Sequence, residues 1–172
     1  RPSVLFDCGA DLLMYGMGER HIVEIARRLD AGEPIRTLTD IRGTCYAVPA
    51  AEYRPQPCAE CPSYELVSPP TEAGKRQYAI ACRIQQQEQD AVRGKTVIQR
   101  HGGYILVQNP PSPPLETEEL DRVYGLPYMR AYHPSYEPLG GVPGIAEVKF
   151  SVIHNRGCYG ACNFCAIASH QG

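Results

Sequence analysis

Proline sets the limits on this sequence. Of its sixteen prolines, every one but Pro2 lies after Ala31. They come in bursts, from Pro49 to Pro70 and again at Asn109 to Pro114, which holds four of them. A proline has a fixed φ and no amide hydrogen, so the tract from Asn109 to Pro114 can be neither helix nor central strand. The tract from Pro49 to Pro70 shows little period.

Outside these tracts the patterning reads as α/β. Val4-Leu5-Phe6 and Leu12 to Tyr15 are short apolar runs of the kind that make buried parallel strands. Gly16-Met17-Gly18-Glu19 turns into a helix over about Arg20 to Leu29. Ile22, Ile25, Ala26 and Leu29 form its apolar face, Glu24, Arg27 and Arg28 point away, and Gly32 is placed to end it. Cys45 to Val48 is the next strand, giving strand, helix, strand in an open parallel sheet. The Pro-rich stretch offers only a strand at Tyr64 to Val67. A second helix runs from Glu72 to about Ala91, with Ala73, Ile80, Ala81, Ile84 and Ala91 inward and a solvated Gln85 to Gln89; Gly94 marks its end. Thr96 to Arg100 and Tyr104 to Gln108 form a hairpin about His101-Gly102-Gly103. Thr117 caps a short helix to Val123. Gly125 to Gly144 has no period. Glu147 to Ile153 is a last strand, and it leads into a cluster of cysteines.

Net charge is −2, from 17 basic and 19 acidic side chains, so the totals call for no polyanionic partner. Arg76, Arg83, Arg93, Lys95 and Arg100 are spaced among acids and glutamines, the pattern of solvated surface rather than of a nucleic-acid interface. The apolar runs are too short to cross a membrane.

The chain has eight cysteines, and three of them fall within residues 158–165. Cys8, Cys45 and Cys82 lie in or near apolar elements and suit the role of small buried hydrophobes. Cys58-Ala59-Glu60-Cys61 is a lone CxxC among prolines and reads as a pair of surface loop thiols; Pro62 argues against a thioredoxin-like helix there. Cys158, Cys162 and Cys165 are different. Thiolates at i, i+4 and i+7 in a loop containing Gly157 and Gly160 can converge on one metal centre. Three thiolates leave one iron of a [4Fe–4S] cube without a protein ligand, and an open position is what a catalytic metal needs. Electron-transfer ferredoxins use four cysteines with a tighter start. Zinc is the other candidate: His154 or His170 with the three cysteines would make a closed Cys3His site and a non-enzymatic binding module.

The spacing C-x3-C-x2-C with Phe164 before the last cysteine resembles the signature of radical S-adenosylmethionine (SAM) enzymes. The phrases Arg130 to Tyr136, Val107 to Pro111, Thr117 to Asp121 with Leu126-Pro127-Tyr128, Arg156 to Gly172, Tyr15 to Arg20 and Arg28 to Gly32 are similar to YgiQ-type radical SAM proteins. This resemblance implies a cytoplasmic enzyme of several hundred residues. It would hold a [4Fe–4S] cluster on Cys158, Cys162 and Cys165, and bind SAM, an unassigned substrate and a one-electron donor such as flavodoxin or ferredoxin. Phe164 would pack near the adenine or the cluster, and Arg156, with Asn155, is a further cofactor-binding candidate.

The expected architecture is a partial Rossmann-like open sheet resembling a cobalamin domain. Residues 1–146 would form this α/β domain with its Pro-rich insertion and linker, and residues 147–172 the first strand and cluster loop of a partial barrel. No Asp-x-His-x-x-Gly sequence is present, so cobalamin is unsupported. Gly16-Met17-Gly18-Glu19 lacks the third glycine of a dinucleotide fingerprint, and Glu19 would repel a phosphate. Seven residues follow Cys165, too few for the remaining strand–helix units of a barrel, so this chain alone is expected to be inactive. A methylthiotransferase-like, tRNA-modifying radical SAM enzyme is the remaining alternative.

Overall fold

A computed structural model describes residues 2–153, 156–160, 162, 164, 165 and 167. The chain is α/β, built on an open sheet flanked by helices as expected, but the sheet is mixed rather than parallel. Its elements run α1 (Val4–Cys8), β1 (Leu13–Met14), α2 (Glu19–Asp30), β2 (Thr44–Pro49), β3 (Cys58–Cys61), α3 (Tyr64–Val67), α4 (Glu72–Gln87), β4 (Thr96–His101), β5 (Tyr104–Gln108), α5 (Thr117–Tyr124) and α6 (Ile145–Val148). The strand order is β1-β2-β5-β4-β3. Only β3 and β4 are parallel, and the chain between them supplies α3 and α4, the crossover that parallel neighbours require. No helix among the described residues is long and apolar enough to cross a membrane.

The hairpin forms where the sequence put it: His101 pairs with Tyr104 across Gly102-Gly103. Its two faces alternate as a pleated pair must. Ile98, Ile105 and Val107 build a core with Tyr46, Val48, Tyr53 and Cys58 on one face. Val97, Cys61 and Ala81 build the core under α3 and α4, with Ala59, Val67 and Ile84 packed against it. The second helix buries Gly74 and Ala81, while Ala73 and Ile80 are exposed. In α2 the inward face is His21 and Ile25, not the stripe through Ile22 and Leu29, which are exposed. Ile25 packs with Leu38 and Ile41. Gly32 does take the left-handed conformation, at φ 86°.

Four element assignments differ as well. Val4-Leu5-Phe6 lies in a helix capped by the Ser3 hydroxyl, and Phe6 meets His101 edge-on at 4.5 Å. Tyr64 to Val67 is helix α3, with Tyr64 stacked on the same histidine at 4.1 Å. Glu116, not Thr117, precedes the first turn of α5, and its N–H donates to Glu119 Oε2 at 3.0 Å. Glu147 to Ile153 is not a strand: α6 occupies its start, and residues 149–153 are exposed chain without regular structure. No strand lies alongside this segment among the described residues, and a strand without a ladder leaves its backbone groups unpaired.

One buried polar knot ties the sheet to the chain under α2. Asn109 Nδ2 donates to the carbonyls of Thr39 and Ile41, both at 2.9 Å, and lies 3.1 Å from Thr44 Oγ1. Nearby, His21 is 1% exposed and its Nδ1 lies 2.8 Å from the Arg42 carbonyl. A carbonyl only accepts, so Nδ1 carries the proton. A Cβ on Gly43 would come within 2.3 Å of His21 Cε1, at a φ of +72°. Glycine is therefore required there on two counts.

Candidate cluster loop and its anchor

The CxxC pair sits on a strand, not in a surface loop. Residues i and i+3 of a strand face opposite sides of the sheet. Cys61 accordingly enters the core beneath α4, while Cys58 packs against the Ile98–Val107 face. The sheet lies between them, so these two thiols can share neither a metal nor a disulfide. Burial pushes the Cys61 thiol up to about 11, helped by Cys82 nearby. Cys45, inside β2, is pushed up to about 12 by burial alone. Both stay protonated as small hydrophobes. Cys8 and Cys82, read from sequence as buried, are exposed.

Cys158 and Cys162 are exposed, and Cys165 is half-buried. The first two flank Gly160: its N–H donates to Cys158 Sγ at 3.4 Å, and Cys162 Sγ donates to its carbonyl at 3.7 Å. A Cβ at this position would lie 3.3 Å from one sulfur and 3.6 Å from the other. These are ordinary to slightly tight contacts, and both sulfurs flank one point of backbone. The Cys165 N–H turns back to the Cys162 carbonyl at 3.0 Å. No group of three or more His, Cys, Asp or Glu side chains able to hold a metal is gathered among the described residues. The donors suit an iron–sulfur cluster in kind, being soft free thiols with no fourth protein ligand among them. Two of the three share the Gly160 cradle. Tyr159 and Phe164 are fully or nearly fully exposed. His154, Asn155 and His170 lie outside the described residues.

Arg156 connects this loop to the α/β body. Its Nε donates to the Tyr124 hydroxyl at 3.2 Å, and its guanidinium lies 5.4 Å from the centre of that ring. Its Nη1 donates to Glu19 Oε1 and reaches Met17 Sδ at 3.2 Å. Both members of the Glu19–Arg156 ion pair are about three-quarters buried, at 25% and 21% exposure. Burial pushes the Glu19 carboxyl up. Its own backbone N–H and the Arg156 guanidinium outweigh this and hold it below the usual range. The Tyr124 hydroxyl, more than any other group, raises Arg156 further. Glu19 opens α2, where a carboxylate also complements the helix dipole. A second arginine fastens the same two helices: Arg20 Nε donates to Glu119 Oε1 at 3.0 Å, and its Nη2 pairs with the other oxygen.

Sequence reasoning singled out the Gly16–Glu19 turn but took Glu19 only as an argument against phosphate, and it passed over Met17 and Tyr124. No motif joins residues more than a hundred positions apart; the one available signal was an acid at the start of a helix. Of the five basic residues weighed as a nucleic-acid surface, Arg100 is paired with Glu60 at 3.0 Å.

Residues 1–151 match the family model described as radical SAM N-terminal. The whole chain aligns at 50% identity with a UPF0313 protein of Clostridium botulinum strain 657, and at 49% with a UPF0313 protein of Clostridium perfringens strain 13. It spans 26% and 25% of the length of these relatives. No solved structure matches. The chain belongs to the radical SAM N-terminal family.

Proposed function

We propose that this chain is the N-terminal part and cluster loop of a [4Fe–4S]-dependent radical SAM enzyme of the YgiQ type, with Cys158, Cys162 and Cys165 as the cluster thiolates. The observation that carries the reading is one of order along the chain. Residues that match a radical SAM N-terminal family are followed at once by three thiols at the C-x3-C-x2-C spacing, two of which flank Gly160. Residues 1–146 would be the α/β domain and residues 147–172 the start of the SAM-cleaving domain.

When bound, the cluster and SAM supply the chemistry: one-electron reductive cleavage of the sulfonium to methionine and a 5'-deoxyadenosyl radical. The chain's own residues do simpler work. The backbone of Gly160 meets the Cys158 and Cys162 sulfurs, and the three thiols leave one ligand position open for SAM. Phe164 offers an apolar ring to whatever covers the loop. A soluble one-electron donor, a cytoplasmic setting and an unassigned substrate complete the proposal.

The test is anaerobic iron–sulfide reconstitution of the full-length protein, followed by assay for 5'-deoxyadenosine with dithionite as reductant. About four irons per chain and iron-dependent 5'-deoxyadenosine formation are expected. One stoichiometric zinc without visible absorption would overturn the reading in favour of a Cys3His binding module.

A further inference from the structure

We infer that Arg156 is a positioning residue that fixes where the cluster loop begins, through a clamp made by Glu19, Met17 and Tyr124. This rests on the reading of Cys158, Cys162 and Cys165 as cluster ligands.

Arg156 stands two residues before Cys158, and it receives partners from two separate elements. Glu19 and Met17 come from the turn and first residue of α2, and Tyr124 is the last residue of α5. One edge of the guanidinium donates to the Tyr124 hydroxyl, another nitrogen serves both the carboxylate and the thioether, and the cation lies within range of the aromatic ring. A lysine could supply the charge but not this set of directions.

Residues 149–153 are exposed and without regular structure, and Tyr159 and Phe164 are exposed beyond the clamp. The helices on the other side are themselves fastened by the Arg20–Glu119 pair, so the clamp hangs the loop from a braced support. Partners that orient metal ligands from outside commonly matter as much to retention as the ligands' own surroundings. The guanidinium bonds Glu19, Met17 and Tyr124 of the α/β body. Its effect on the cluster passes through the backbone of Gly157 to Cys158.

The experiment uses the full-length protein, reconstituted anaerobically, and reads the rate at which a ferrous chelator strips iron from the reconstituted cluster. Arg156→Ala, Glu19→Gln and Tyr124→Phe should each accelerate stripping, the first by about tenfold. Arg156→Ala should cost some stability as well, because it leaves the largely buried Glu19 carboxylate without its cation, so stripping is compared at a temperature where every variant is fully folded. Arg156→Lys should rescue stripping only in part. The charge-swapped double variant Glu19→Arg with Arg156→Glu should strip more slowly than either single swap when all are compared well below their unfolding transitions. Wild-type stripping rates in Arg156→Ala and Glu19→Gln, or a swap that is additive, would overturn the clamp while leaving the cluster assignment standing. A wild-type protein that takes up no iron would instead overturn the cluster assignment beneath it.

Discussion

Cys61 is 3% exposed between Ala81 and Val97, and burial pushes its thiol up to about 11; Cys158 and Cys162, at the other end of the chain, are exposed on either side of Gly160. The same side chain serves two ends. Inside the sheet it fills space, and desolvation suppresses the thiolate that would make it reactive. In the loop Cys158 and Cys162 are exposed, so their sulfurs are open to a ligand. Spacing alone does not separate these roles. Cys58 and Cys61 have the shorter, more metal-like interval, yet a strand turns them to opposite faces.

The largest test of this contrast is removal of the loop thiols. Replacing Cys158, Cys162 and Cys165 with alanine in the full-length protein should abolish iron uptake and leave thermal unfolding of the α/β body where it was. Replacing Cys45 and Cys61 should do the reverse. Iron analysis and calorimetry on both variants separate the two classes, and iron loss in the second would collapse the distinction.

Next come the substitutions that break the sheet region alone. Asn109→Leu strands the Thr39 carbonyl and leaves the Ile41 carbonyl with only the Thr44 hydroxyl, and should cost about 2 kcal/mol by urea denaturation. Gly43→Ala must displace buried His21 and hold alanine at a left-handed φ; a loss of about 3 kcal/mol is expected. Neither should alter the reactivity of Cys158 or Cys162 toward iodoacetamide as long as the chain remains folded.

A gentler test uses pH. Cys45 and Cys61 titrate at about 12 and about 11 when folded, against 9.0 for an unperturbed thiol. The unfolded chain therefore releases these protons first. Their contribution to stability is whole below pH 9 and is lost as pH rises through the folded values. Tyr15, raised chiefly by burial, adds in the same direction at higher pH. The urea midpoint should fall as the solution is made more alkaline than pH 9, and more shallowly in a Cys45→Ala, Cys61→Ala variant. The smallest effect belongs to Lys75→Ala. It removes an exposed pair with Glu72 and should shift stability by less than about 0.5 kcal/mol.

Much of the body was legible because local signals agreed. The β4–β5 hairpin had two apolar runs about a pair of glycines, and α2 and α4 had helical periods with stops at Gly32 and before Gly94. What misled was the short apolar run, which fits strand and helix equally. Ser3 before Val4 and Gly9 after Cys8 were the capping cues that decide for helix in α1. β3 was hidden by Pro57 and Pro62, yet it lies at the edge of the sheet, where flanking prolines are tolerated. The faces of α2 were misjudged because His21 is polar by type and core by position. In the candidate site the three cysteines and Gly160 could be read from their spacing. The Arg156 clamp could not, since its partners meet only after α2 and α5 are brought together.

The contact between Arg156 and Tyr124 also closes a ring of chain, with 32 positions separating its two ends. The cost of closing such a ring rises only with the logarithm of its length, by about 0.6 kcal/mol for each doubling. The tract from Gly125 onward, poor in regular structure and largely exposed, is thus a segment whose length can change at little thermodynamic cost. Residues added near Met129 or Leu139 would lengthen the ring, while the point at which the chain re-enters the α/β body stayed fixed at Glu19. Insertions of this kind offer a way to decorate the protein, or to attach a spectroscopic label, without moving the start of the thiol segment.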